Sequence, residues 1–246
     1  MPRVRPPDRR RRDRQRLSLP RPGNPRGGGV PSLGVLEAVE SVWLGCVEYK
    51  KALALQLDLV DRLAGRQCQD TLLLLTHPHV YTFGRSGDQA NLLVSEEALT
   101  HEGISVERVS RGGDVTYHGP GQLVGYPIVR LERPDLHRFV RCLESALIDA
   151  LGTFGVPSHR VEGQTGVWVE GKKIASIGVG VRRWVTYHGF ALNVTTDLTY
   201  FQRIHLCGLK GREATSMIEI TGRNVPMEEV RDRVAESCAR HLRGFS

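Results

Sequence analysis

One of the five cysteines, Cys207, has the sequence context of a reactive thiol. It follows Leu206 at an apparent turn and precedes Gly208, so its sulfur is expected to be exposed with backbone N–H groups nearby. Such groups can also stabilise a developing oxyanion. A free thiol is only slightly ionised at neutral pH, so Cys207 needs a neighbouring base. The other cysteines lie within or beside predicted helices and strands, where a thiol is usually a small buried hydrophobe: Cys46, Cys68, Cys142 and Cys238.

Three residues are candidates for that base: Lys173, His118 and His205. Lys172 and Lys173 begin a predicted strand, and because neighbouring side chains leave opposite faces of a strand, one lysine is expected to face inward and Lys172 to be solvated. A desolvated amine beside a thiol lowers the pKa of the thiol and accepts its proton. His205 shares a face with Cys207 if that segment is extended. The residue types alone leave the choice open.

A glycine-rich loop runs from Arg111 to Gln122. Glycines allow the backbone to lie against a ligand and direct N–H groups at it, and the polar and aromatic residues between the glycines favour binding over a plain pair of turns. The loop lacks the Gly-Lys-Ser/Thr of a phosphate-binding loop and the spacing of a dinucleotide fingerprint. A thiol, a cation that ionises it and a glycine-lined wall are the parts of an acyl-transfer site that uses a thioester.

The elements that must position these residues follow from hydrophobic periodicity. The order of helices and strands is mixed rather than strictly alternating, which predicts one α+β domain. Strands are predicted at 38–44, 71–76, 79–83, 104–109, 123–129, 166–170, 173–181, 184–187 and 190–194. Helices are predicted at 47–63, 96–101 and 135–151, with a last helix that begins at Pro226.

The basic character of the chain is confined to its first 29 residues. Residues 1–29 hold ten arginines and two aspartates, a net charge of +8, and subtracting this from the total of +7 leaves −1 for residues 30–246. The tail is rich in Arg, Pro and Gly and is expected to be disordered, and residues 30–246 to form the catalytic domain. A near-neutral body argues against a nucleic-acid-binding protein. No cysteine or histidine spacing indicates a structural metal, and no apolar run is long enough to span a bilayer.

Several blocks, in one order over residues 38–242, resemble the lipoyl(octanoyl) transferases. Residues 111–126 match the pattern Arg-Gly-Gly-x-x-Thr-Tyr-His-x-x-Gly-Gln-x-x-x-Tyr. The other matching blocks are His77-Pro78, Tyr81-Thr82, Gly84-Arg85, Asn91-Leu92-Leu93, Thr165-Gly166-Val167-Trp168-Val169, His188 to Asn193, Cys207-Gly208 and Thr215-Ser216. One departure is Leu206, where the family often has proline.

The resemblance implies a role for each matching residue. Cys207 matches the nucleophile that carries the acyl thioester, and Lys173 matches the lysine that lowers its pKa. The substrate-binding segments are Arg111, Gly112, Gly113, Asp114, Val115, Thr116, Tyr117 and His118; Ser176, Ile177 and Gly178; and Gly189, Phe190 and Ala191. The implied fold is that of the biotin and lipoate protein ligases, with a mixed sheet and flanking helices.

The resemblance also implies the reaction and its partners. An octanoyl group would pass from octanoyl-acyl carrier protein to the lysine of lipoyl domains of 2-oxoacid dehydrogenase complexes and of the glycine cleavage H protein, with no ATP, metal, nucleic acid or membrane required. The protein is expected in the cytoplasm, or in mitochondria if residues 1–29 are a transit peptide. A basic patch including Arg85 and Arg111 is expected to dock the acidic partners. The rival interpretations are an ATP-dependent lipoate or biotin ligase, and a nucleic-acid-binding protein that uses the tail.

Overall fold

The computed structural model describes residues 39–205, 211 and 213–245, which belong to one unit spanning residues 35–246. The tail of residues 1–29 and Cys207 lie outside the described residues. The strands are β1 Glu40–Cys46, β2 Thr71–Thr76, β3 Val80–Phe83, β4 Ser105–Arg108, β5 Val115–His118, β6 Gln122–Ile128, β7 His159–Val161, β8 Gln164–Val169, β9 Lys172–Arg182 and β10 Val185–Asn193. The helices are α1 Tyr49–Ala64, α2 Glu96–His101, α3 Leu136–Gly152, α4 Met217–Thr221 and α5 Met227–His241.

Seven strands form the main sheet in the order β1-β2-β6-β10-β9-β8-β7. The β1–β2 pair is parallel and the other pairs are antiparallel, so the sheet is mixed, as predicted. The two strands predicted at 184–187 and 190–194 are wrong as separate elements, because β10 is continuous. Gly189 does not break it: a Cβ at this position would lie 2.2 Å from the Gly125 carbonyl oxygen, so glycine allows the neighbouring strand to approach.

A second sheet of three strands, in the order β4-β3-β5, carries part of the glycine-rich segment. Thr116, Tyr117 and His118 were expected in a loop, and this expectation is wrong. They belong to β5, which pairs antiparallel with β3. The strand has only four residues and lies between glycines, which favoured a loop in the sequence.

Helices cover both faces of the main sheet. Helices α3 and α5 pack together over one core that includes Leu72, Leu74 and Phe190. Leu73 and Leu75 are equally buried and, because side chains alternate along β2, lie on the other face, where α1 packs against β6 and β10. Among the described residues, no helix has both the length and the apolar character needed to cross a membrane.

Candidate active site

A cavity of about 250 Å³ lies between the glycine-rich segment and strands β9 and β10. Its lining includes Lys173 and most of the predicted substrate-binding residues: Arg111, Gly112, Gly113, Asp114, Val115, Thr116, His118, Ser176, Ile177, Gly178, Gly189, Phe190 and Ala191. Three segments far apart in sequence therefore meet at one cavity. Its size lies just below the range of about 300–1,000 Å³ for small-molecule pockets.

Tyr117 is the predicted substrate-binding residue that does not line this cavity. Its hydroxyl lies 2.7 Å from His79 Nδ1, and its ring stacks on Tyr200 in the core of the smaller sheet. Thr116 and His118 face the cavity, and Tyr117 between them leaves the opposite face of β5. Tyr117 lies within the matching block, but its side chain packs in the core of the smaller sheet and does not line the cavity.

Arg111 holds the glycine-rich loop in place from inside the protein. Its side chain donates hydrogen bonds to Thr82 Oγ1 at 2.9 Å and 3.2 Å, to the Thr82 carbonyl and, at 3.0 Å, to the Gly112 carbonyl. Because Arg111 is only 8% exposed, the expectation that it contributes to a surface docking patch is wrong. A guanidinium with several fixed donors suits the organisation of a loop.

The loop also approaches β9 closely at Gly178. The Gly112 N–H donates to the Val179 carbonyl at 3.1 Å, and a Cβ built on Gly178 would lie 2.8 Å from the Gly112 carbonyl oxygen. The Gly112 oxygen belongs to the backbone and cannot turn aside as a side chain could, so a side chain at Gly178 would move the loop. Glycine at this position therefore determines how near the loop lies to the cavity.

We expect Gly178→Ala to lower kcat/KM by about tenfold or more, because a displaced loop misplaces the substrate. The matched control is Gly152→Ala at the end of α3, where an added Cβ meets nothing within 4 Å. Steady-state kinetics with thermal melts check the pair. Equal activity of the two variants would contradict the role given to Gly178.

Lys173 presents its amine to the cavity from the start of β9. The residue is 4% exposed, whereas Lys172 points outward and pairs with Glu213 at 2.7 Å, so the expected division between the two lysines is confirmed. Lys173 Nζ donates to the Thr165 carbonyl oxygen at 3.1 Å and lies 4.7 Å from the Trp168 ring centroid. The amine is therefore placed by at least two groups of β8.

The described residues on either side of Cys207 are tied to the site. After it, Lys173 N–H donates to the Glu213 carbonyl at 2.9 Å, and Thr215 N–H donates to the Lys173 carbonyl at 3.0 Å. Before it, His205 N–H donates to the Asn91 carbonyl at 2.8 Å, and the Asn91 amide donates to Asp114 Oδ2 at 2.5 Å. The chain thus enters this segment beside the glycine-rich loop and leaves it alongside Lys173.

Buried rings line the cavity where α1 meets β10. Burial lowers the pKa of His118 to about 3 and that of His188 to about 3, and it raises the pKa of Tyr49 and of Tyr126 above the ordinary value. His118 Nδ1 lies 2.8 Å from Gln122 Oε1 and its Nε2 lies 3.4 Å from Thr82 Oγ1. A neutral imidazole of low basicity with both nitrogens engaged is poorly suited to deprotonate a thiol, so Lys173 is a better candidate than His118.

We expect stability to fall as the pH drops below about 6.5, because the unfolded histidines take up protons there while the buried ones do not. Burial also lowers the pKa of His77 to about 4. Each of the three buried histidines then costs up to about 1.4 kcal/mol per pH unit between its unfolded and folded pKa values. Urea unfolding at pH 7.5, 6 and 5 measures the slope.

In the same experiment, His118→Gln should flatten the pH dependence by about one third, since one of three buried groups is removed. The exposed His137→Gln is the matched control and should leave the slope unchanged. A free energy of unfolding that stays constant from pH 7.5 to 5 in the unsubstituted protein would contradict the buried neutral state, whether or not the variant folds.

Several residues of the site were not singled out from the sequence. Gly163, Gln164, Thr165, Tyr49, Tyr126 and His188 also line the cavity. Tyr126, Thr165 and His188 fall inside the matching blocks, so the resemblance could have identified them as site residues. Tyr49 belongs to the predicted helix, and nothing in the sequence indicates that it lines the cavity. Among the described residues, no group of three or more His, Cys, Asp or Glu side chains is arranged to hold a metal ion.

The comparisons with known proteins agree with this site. Residues 48–239 match the family model described as the lipoyl protein ligase A/B catalytic domain. The chain therefore belongs to the lipoyl protein ligase A/B catalytic domain family. An octanoyltransferase of Geobacter metallireducens is 52% identical over 194 residues, 78% of this chain and 88% of that protein. An octanoyltransferase of Geotalea uraniireducens is 51% identical over 193 residues, 78% of this chain and 87% of that protein. The chain is accordingly an acyltransferase of the octanoyltransferase type, as the sequence blocks predicted.

Solved structures confirm the predicted fold. A putative lipoate protein ligase from T. acidophilum with bound lipoic acid has a TM-score of 0.66 at 19% identity, covering 84% of this chain and 86% of that one. A lipoate-protein ligase A bound with ATP has a TM-score of 0.66 at 18% identity, with 84% and 86% coverage. At this identity the likeness concerns the fold and not the use of ATP.

Proposed function

We propose that the enzyme takes an octanoyl group from octanoyl-acyl carrier protein onto Cys207 and passes it to a lysine of a lipoyl domain. One observation carries the proposal: the buried amine of Lys173 lines the same cavity as the glycine-rich loop, and the residues that follow Cys207 are hydrogen-bonded to the Lys173 backbone. Cys207 comes two residues after His205 and six residues before Glu213, so its thiol is within reach of the cavity.

In the first half-reaction the Cys207 thiol gives its proton to Lys173, and the thiolate attacks the carbonyl carbon of the donor thioester. The new carbon–sulfur bond forms, the bond to the carrier thiol breaks, and the departing thiolate takes the proton from the Lys173 ammonium. One thioester replaces another, so the step is nearly even in energy and needs no nucleotide.

In the second half-reaction the ε-amine of the acceptor lysine attacks the enzyme thioester. The amine loses a proton to Lys173 as the amide bond forms, and the Cys207 thiolate leaves and is reprotonated by the same group. An amide is more stable than a thioester, so this step drives the transfer. The neutral rings of the cavity suit an uncharged acyl chain.

Exposed Arg85 lies next to the loop, where its backbone N–H donates to the Arg111 carbonyl at 3.0 Å. We propose that its side chain helps to dock the acidic carrier and lipoyl domains, which would affect the association rate more than chemistry.

The deciding experiment incubates the enzyme with octanoyl-acyl carrier protein, without ATP or added metal, and measures the intact mass. We expect the enzyme to gain one octanoyl group in place of one hydrogen, and to lose it again when a lipoyl domain is added. Octanoylation of the lipoyl domain only with free octanoate and ATP would instead identify a ligase and overturn the proposal.

A further inference from the structure

A buried carboxylate, Glu144 of α3, lies behind the active-site lysine. The residue lies on the long apolar face of this helix and, although it carries a carboxylate, it has no exposed surface. Its Oε2 accepts hydrogen bonds from Arg141 Nη1 at 2.7 Å and from Arg160 Nε at 3.0 Å. Its Oε1 accepts from the Gly166 N–H at 3.0 Å. The carboxylate thus joins α3 to strands β7 and β8 and is fully engaged.

The contact at Oε1 continues directly to Lys173. The Gly166 N–H and the Thr165 carbonyl are the two ends of a single peptide group. The N–H end donates to Glu144, and the carbonyl end accepts from Lys173 Nζ at 3.1 Å. One backbone peptide therefore connects a buried carboxylate on one side with the cavity-lining amine on the other.

The backbone at Gly166 is built for this orientation. Its φ is +124°, a region that side chains rarely adopt, and an added Cβ would lie 2.6 Å from the Ala175 carbonyl and 3.3 Å from Lys173 Cε. A peptide next to glycine can rotate easily unless both of its polar ends are held. The hydrogen bond to a carboxylate holds the N–H end and, by polarising the peptide, strengthens the bond at the carbonyl end.

We propose that Glu144 is a positioning residue for Lys173, acting through the Thr165–Gly166 peptide. The inference rests on the proposed function, in which Lys173 moves the protons of both half-reactions. Without the carboxylate, the peptide loses the partner that keeps the Thr165 carbonyl directed at Nζ, and the amine moves from its place in the cavity. A displacement of about 1 Å is enough for a loss on the order of 10²-fold in rate.

The rival explanation is that Glu144 merely ties α3 to the sheet. Arg160 separates the two explanations, because among the described residues its side chain donates hydrogen bonds to Glu144 Oε2, the helix backbone and Ser145, and not to the Thr165–Gly166 peptide. Arg160→Gln is therefore the matched control, which weakens the tie and leaves the Gly166 contact in place. Arg141 and Arg160 are 51% and 39% exposed, so Glu144→Met frees both to turn to water and leaves no buried unpaired charge.

The test compares kcat, KM for the lipoyl domain and melting temperature for Glu144→Met, Glu144→Gln and Arg160→Gln. We expect Glu144→Met to lower kcat by about 10²-fold with KM within about twofold. Glu144→Gln keeps an oxygen that can accept from Gly166 but loses the charge, so we expect a loss of only about three- to tenfold. Arg160→Gln should keep kcat within about twofold, even where its melting temperature falls as far as that of Glu144→Met.

A double-mutant cycle with Lys173→Met then assigns the pathway. We expect the loss caused by either Glu144 substitution to disappear when Lys173 is already absent. The inference is overturned if Glu144→Met retains wild-type kcat, if Arg160→Gln loses as much, or if the losses add in the double mutant. Should Glu144→Met not fold, the cycle is run with Glu144→Gln, and wild-type kcat in that variant is the overturning result. A fully active Lys173→Met would instead refute the proposed function.

Discussion

Cys207→Ala is expected to lower kcat by at least about 10³-fold, because in the proposed mechanism the substitution removes the atom that carries the acyl group. The remaining rate reflects binding of the two substrates next to each other, with direct attack of the acceptor lysine on the donor thioester. No octanoyl adduct should then be detectable on the enzyme by mass spectrometry. Cys207→Ser is expected to be nearly as inactive, since a hydroxyl is far harder to ionise than a thiol.

The control is Cys46→Ser, which changes an exposed thiol at the end of β1. Its kcat should stay within about twofold of wild type and its adduct should form normally. A fully active Cys207→Ala, or an adduct that maps to another cysteine, would remove the nucleophile from the proposed mechanism.

Lys173→Met is expected to lower kcat by about 10²–10⁴-fold, the range that one acid–base group contributes. Methionine retains most of the stem that packs beside Trp168 and Gly166 and removes only the amine. The rate at which iodoacetamide alkylates Cys207 should fall at neutral pH and recover at alkaline pH, since the thiol then ionises without help. Single-turnover kinetics and the alkylation pH profile measure the two effects.

Its matched control is the adjacent Lys172→Met, because Lys172 is exposed and pairs only with Glu213 among the described residues. It should leave kcat and the alkylation profile unchanged within about twofold. Equal effects from the two lysines would indicate that the general positive charge of the region, and not one buried amine, ionises the thiol.

The sequence by itself determined the elements whose periodicity is strong and the segments that form the site. Strand β2 and helix α2 have the predicted bounds, because a run of leucines between turn signals and a capped helix with acidic residues in its first turn are local signals. The inward direction of Lys173 also followed from local information, since strand alternation separates it from Lys172. The matching blocks identified which segments line the cavity.

Only the tertiary structure determined which side chains of those segments face the cavity and which residues hold them in place. Arg111 and Tyr117 lie in the strongest block, yet one side chain holds the loop from inside and the other packs away from the cavity. Glu144 occupies a position on the apolar face of a predicted helix, where the sequence offers Arg141, three residues earlier, as a local partner for its charge. Its partner next to Lys173 is a backbone N–H that comes 22 residues later and becomes adjacent only when α3 packs on β8. The pKa values and the hydrogen-bond partners depend on contacts between distant segments, and periodicity within a segment carries no information about them.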